Sequence, residues 1–107
     1  MSDRFVMIQG IVGSNAFGAS LHPGTARNGQ ECCLAYIGLP NNSELVWQEI
    51  ELTPVQAIEL SNVLANGNTV RVSGTLEKQL GLPLYRVRVE QMELVRVAQP
   101  LILSTAA

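Results

Sequence analysis

A chain of 107 residues can build one hydrophobic core but not a core plus a separate functional module. At 47% hydrophobic and 15% charged it is not a disordered chain, and a net charge of −2 gives no global attraction to nucleic acid or an anionic membrane. The start, MSDRFVMIQG, lacks the basic and apolar segments of a signal peptide, and no apolar run nears the roughly 20 residues that span a bilayer. A soluble cytoplasmic protein without membrane contact is therefore expected.

Arg4 to Val12 reads as a mostly apolar strand, with Gly10 marking a bulge or sharp coil. Gly13 to Gln30 reads as a loop, His22-Pro23-Gly24 being its clearest turn signal. Glu31 to Leu39 is a second strand, closed by Pro40-Asn41-Asn42. Cys32 and Cys33 are adjacent on it and face opposite ways, so two reduced thiols are expected. Leu45 to Leu52 is a third strand, with Val46, Gln48, Ile50 and Leu52 on one face and Trp47, Glu49 and Glu51 on the other.

A helix of about four turns should follow. Thr53 suits the N-cap, Pro54 the first helical position, Gln56 a capping box and Gly67 the C-terminal stop. Ala57, Ile58, Leu60, Leu64 and Ala65 form its apolar side. Asn68 to Arg96 then reads as one long β-hairpin turning near Gln79 to Pro83. Val70 and Val72, and after the turn Tyr85, Val87 and Val89, take the core side, while Arg71, Arg86 and Arg88 take the outward side. The order of three strands, a helix and two strands is that of the OB-fold, a five-stranded Greek-key barrel that is all-β apart from one helix between strands three and four. It predicts a domain over residues 1–98 and a short tail over 99–107, with an apolar patch at Leu101-Ile102-Leu103.

Trp47 to Gly74, WQEIELTPVQAIELSNVLANGNTVRVSG, resembles the bacterial single-stranded DNA-binding protein family. The features are a Trp opening the third strand, an amphipathic helix ending in Gly, and a fourth strand finishing Val70-Arg71-Val72-Ser73-Gly74. Phe5 to Gly10 and Tyr85 to Leu94 resemble the family's first and last strands, and the length resembles its compact relative, primosomal replication protein N. The resemblance implies sequence-independent single-strand binding in DNA replication, recombination or repair, by a homodimer or homotetramer that could contact replication proteins. There are two departures. The family's basic residue two positions after the Trp is Glu49 here, with Glu51 on the same face, and the acidic, aromatic-tipped tail that recruits partners is replaced by Leu101 to Ala107.

Single-strand binding needs cationic groups along the backbone and aromatic faces for the bases. Arg71, Arg86 and Arg88 are the candidate cations, set against a reading in which Arg71 pairs with Glu90 and the others are solvated. Trp47 is the candidate stacking face, or a side chain covered by another subunit. Arg27 belongs to the Gly13–Gln30 loop, where OB-folds place a binding loop, and plain mobility is that loop's simpler reading. One His, one Asp and scattered Glu form no catalytic set or metal-ligand spacing, so neither an enzyme nor a cofactor is expected. The rival function is an OB-fold adaptor that has lost nucleic-acid binding, which the acidic balance favours.

Overall fold

Valine-rich alternation builds the wall of a closed barrel. A computed structural model describes residues 4–14, 19–80 and 85–98. Its strands are β1 (Arg4–Val12), β2 (His22–Thr25), β3 (Glu31–Asn41), β4 (Glu44–Leu52), β5 (Thr69–Lys78) and β6 (Tyr85–Arg96), with helix α1 (Pro54–Glu59) between β4 and β5. β3–β4 and β5–β6 are antiparallel hairpins. β5 also pairs with β1, β1 reaches β3 at Ile11 and Val12, and β6 runs parallel to β4 at Ile50 and Glu51. The ring β1–β5–β6–β4–β3 thus closes, and this mixed five-strand barrel with one short helix is OB-fold-like. Ile37, Ile50, Leu52, Val70, Val72 and Val87 lie fully buried inside it.

Closure depends on glycine. A methyl group at Gly10 would run into the carbonyl oxygen of Gly38, so β1 can cross β3 at backbone contact only without a side chain there. The β1–β5 ladder passes through Gly10 in register, so Gly10 marks the crossing and not a bulge. The register shifts lie in the β5–β6 hairpin, between Thr69 and Val70 and between Ser73 and Gly74.

Three local expectations change. The segment His22–Thr25 is not loop but a sixth strand, paired with Glu31–Leu34; the β3 ladder overrides the turn signals of Pro23 and Gly24. Pro40 does not end its strand, because β3 and β4 run on to a two-residue loop whose Asn42 takes φ 59°, a conformation Asn tolerates. The helix has the predicted capping box, with Thr53 and Gln56 each accepting from the other's backbone N–H, yet it spans only Pro54–Glu59. After Leu60 leaves the helical conformation the chain continues in turns, with the Ser61 and Val63 N–H groups donating to the Ile58 and Leu60 carbonyls three residues back. Buried Asn68 closes this segment, its side-chain amide donating to the carbonyls of Asn62 and Val63 and its oxygen accepting from the Ala98 N–H. Ile58, expected on the core side, is 76% exposed, and only Ala57 and Leu64 of the predicted apolar side are buried.

Tyr85 also differs: it keeps inward parity but pairs with Lys78 where the hairpin has run past the core, and it is exposed. The predicted hairpin turn falls partly, and the 99–107 tail wholly, outside the described residues. Among the described residues no helix is long and apolar enough to cross a membrane.

Candidate nucleic-acid interface

The tight β3–β4 loop fixes a register in which Trp47 stands opposite Gly38 on the outer face of the barrel. A Cβ at Gly38 would lie 3.0 Å from the indole and one at Gly13 2.6 Å from it, so the ring rests directly on two glycine backbones. Its other side stays open, and 52% of the residue is accessible. Gly13 donates its N–H to the Tyr36 carbonyl, and Gly13, Ser14, Tyr36 and Trp47 line a shallow pocket of about 310 Å³. On the far side of Tyr36 the His22 ring stacks on it, with centroids 5.2 Å apart. Three rings therefore cross β2, β3 and β4 in a row, and Trp47 is the one exposed as a flat platform.

Next along β4 come Glu49 and Glu51, opposite Tyr36 and Leu34 on β3 and beside β6. Arg86 reaches both, donating from Nε to Glu49 at 2.7 Å and from Nη1 to Glu51 at 3.0 Å and to the Thr25 carbonyl at 3.0 Å. Tyr36 donates its hydroxyl to the second Glu49 oxygen at 2.7 Å. The Arg86 side chain is 12% exposed and the two carboxylates 3% and 7%, so outward parity here does not mean contact with water. Burial alone would lower the Arg86 pKa, but the hydrogen bonds to Glu49 and Glu51 outweigh it and leave the guanidinium raised. The bond to Glu49, with burial, likewise pushes the Tyr36 phenol above its ordinary value. Burial, reinforced by Glu51, raises the Cys32 thiol. Cys32 and Cys33 are both free.

Beside this network Glu77 of β5 holds two more arginines on one oxygen, Arg27 at 3.1 Å and Arg88 at 3.5 Å. Arg27, Arg86 and Arg88 therefore converge with Glu49, Glu51 and Glu77, cation balanced by carboxylate. Arg71 does not join them. It lies six residues along β5 from Glu77, about 20 Å of strand, and bonds Gln9 and Glu93. The expected partner Glu90 instead accepts from Thr75, because the hairpin register brings Glu93 opposite Arg71. Glu49 and Glu51, which stand on the face where the family carries a basic residue, are buried and share the single guanidinium of Arg86.

Sequence reasoning did not single out Tyr36 or Gly38, and it read Gly13 and His22 only as parts of the Gly13–Gln30 loop. The β3–β4 register carries the signal for Tyr36 and Gly38: counting back from an Asn42-Ser43 turn puts Gly38 opposite Trp47 and Tyr36 opposite Glu49. Among the described residues no group of three or more His, Cys, Asp or Glu could hold a metal ion.

The fold and face define an OB-fold barrel with an open indole platform beside an arginine–glutamate cluster. The structure matches single-stranded DNA-binding and PriB proteins. It is similar to the mitochondrial single-stranded DNA binding protein of S. cerevisiae (15% identity, 89% of this chain and 98% of that one, TM-score 0.68). It is also similar to the small single-stranded DNA-binding protein of Streptomyces coelicolor (14%, 88% and 94%, 0.65) and to the dimeric N-terminal domain of PriB from Thermoanaerobacter tencongensis (19%, 87% and 97%, 0.64). At such identities these are likenesses of fold. No protein-family profile and no curated protein sequence matches the chain.

Proposed function

We propose that the protein binds single-stranded DNA without sequence preference and acts as a self-associated assembly in DNA replication, recombination or repair. The observation that carries this reading is Trp47, laid on Gly13 and Gly38 with its second face open, on the β3–β4 face where OB-folds bind oligonucleotides. A base stacked on it contributes about 1–3 kcal/mol, and any base has the required π-face. Half-exposed Arg88 and Arg27 are the phosphate contacts on the same face, Arg88 standing beside Glu51, four residues and about 13 Å along β4 from Trp47, and Arg86 is the positioning group beside them. The neighbouring folds named for single-strand binding support the same use of the barrel.

Self-association is supported by the dimeric PriB neighbour and by β1. Phe5 and Met7 are 66% and 64% exposed on β1, and among the described residues the strand pairs on its second side only at Ile11 and Val12. Two exposed apolar side chains beside an open ladder suit a second copy of the chain.

One observation favours the rival, a protein-contact barrel: Arg27, Arg71, Arg86 and Arg88 are each ion-paired within the chain. Anisotropy of a labelled single-stranded oligonucleotide, with a duplex control, separates the two. Single-strand binding predicts a saturable rise whose logarithmic salt slope is shallow, about −0.7 for each phosphate contacted. No rise at low salt transfers the function to protein contact.

A further inference from the structure

Glu77 stands where it can compete with a nucleic acid for the same cations. Its side chain is only 7% exposed, while its partners Arg27 and Arg88 are 44% and 54% exposed. Both arginines ion-pair with one oxygen, Oε2, from different elements: Arg27 hydrogen-bonds it at 3.1 Å from the turn between β2 and β3, and Arg88 approaches it to 3.5 Å from β6. In the ladder Glu77 stands opposite Arg86, but Arg86 is already committed to Glu49, Glu51 and the Thr25 carbonyl. A phosphate that recruits Arg27 or Arg88 must therefore draw it from Glu77. The cost is asymmetric: the arginines exchange one anion for another, whereas the shielded carboxylate is left without its cations, and an uncompensated charge in such a site is expensive.

We propose that Glu77 is an internal phosphate mimic that holds Arg27 and Arg88 in a masked state and sets the affinity and salt sensitivity of the proposed DNA-binding face. The inference rests on the single-strand reading and adds to it a residue that weakens binding while touching no nucleic acid. The masked barrel discriminates by stacking on Trp47, because its cations are withheld from any polyanion that offers phosphate without accessible bases. Removal of the Glu77 charge takes away the carboxylate that both guanidiniums share, so single-strand affinity rises, discrimination against duplex falls, and binding becomes more sensitive to salt.

The test is Glu77→Gln, which keeps the shape and one acceptor oxygen, in anisotropy titrations of a labelled oligothymidylate and a duplex of equal length at several salt concentrations. Masking predicts about tenfold tighter single-strand binding at low salt and a salt slope steeper by roughly 0.7 for each arginine released. Unchanged affinity and slope in a variant with wild-type circular dichroism, while the wild type binds, would overturn the masking and leave the single-strand reading standing. If neither protein binds, that reading falls and the masking with it. Arg27→Gln measured in both backgrounds keeps the test decisive if Glu77→Gln is less stable. Masking predicts a small loss of affinity in the wild type and a larger one beside Glu77→Gln, whereas equal losses contradict it.

Discussion

Arg86 and Glu49 face each other across the parallel β6–β4 pair with 2.7 Å between guanidinium and carboxylate, both almost wholly shielded from water. The pair sits on the outside of the barrel and is closed over by its own neighbours, the Tyr36 hydroxyl below and the Thr25 carbonyl above. Its role is therefore to hold β2, β3, β4 and β6 together as one rigid face. Arg86→Met leaves two shielded carboxylates without a cation and should cost about 3–5 kcal/mol in urea unfolding. Arg71→Met, which breaks an exposed pair, should cost about 0–1 kcal/mol. Equal losses would mean the network contributes no more than a surface ion pair.

Tyr36 connects that network to alkaline pH. Its folded-state pKa lies above the ordinary 10.0 because Glu49 accepts from the un-ionised hydroxyl. A group raised on folding contributes stability that is complete below the unfolded value and is lost as pH rises through the folded one. The loss therefore belongs above pH 10. Tyr36→Phe should unfold at lower urea at pH 8 and show a flatter decline above pH 10. A decline as steep as that of the wild type would remove Tyr36 as its source.

Gly13 tests the platform without touching the indole. A methyl group there would fall 2.6 Å from Trp47 Cζ3, a clash that a tilt of the exposed ring relieves. Gly13→Ala should weaken oligonucleotide binding roughly three- to tenfold, part of the ~1–3 kcal/mol of a full stack, with little change in melting temperature. Undiminished binding would show that the orientation of the indole is immaterial.

The open side of β1 predicts the assembly. Phe5→Glu with Met7→Glu places two carboxylates where two apolar side chains are now exposed, and should convert an oligomer to monomer in sedimentation velocity without unfolding it. An oligomer that persists would locate self-association elsewhere.

The barrel was legible because β-strand alternation is a local signal. Val70, Val72, Val87 and Val89 announce a face wherever the chain ends up, and the Thr53–Gln56 box announces a helix start. The end of that helix was not legible, because from Leu60 the chain passes into turns that keep Leu64 buried, and an apolar spacing does not distinguish turns from a continuing helix. The site was legible in part. Outward parity identified Trp47, but parity says nothing about what lies above a residue, so Arg86 read as solvent-facing when β2 and Glu49 shield it. Gly38 carried its signal in the hairpin register, and reading it would have placed the indole on a glycine floor.

Trp47 is the only tryptophan in the chain, so intrinsic fluorescence reports on the proposed platform alone. Titration with a short oligothymidylate at low salt should quench its emission to saturation over the concentrations that raise anisotropy of a labelled copy of the same strand, because a base stacked on the open face couples to the indole. A duplex should quench far less. Emission that stays constant while anisotropy rises would contradict stacking on Trp47, and constancy of both signals would contradict single-strand binding itself.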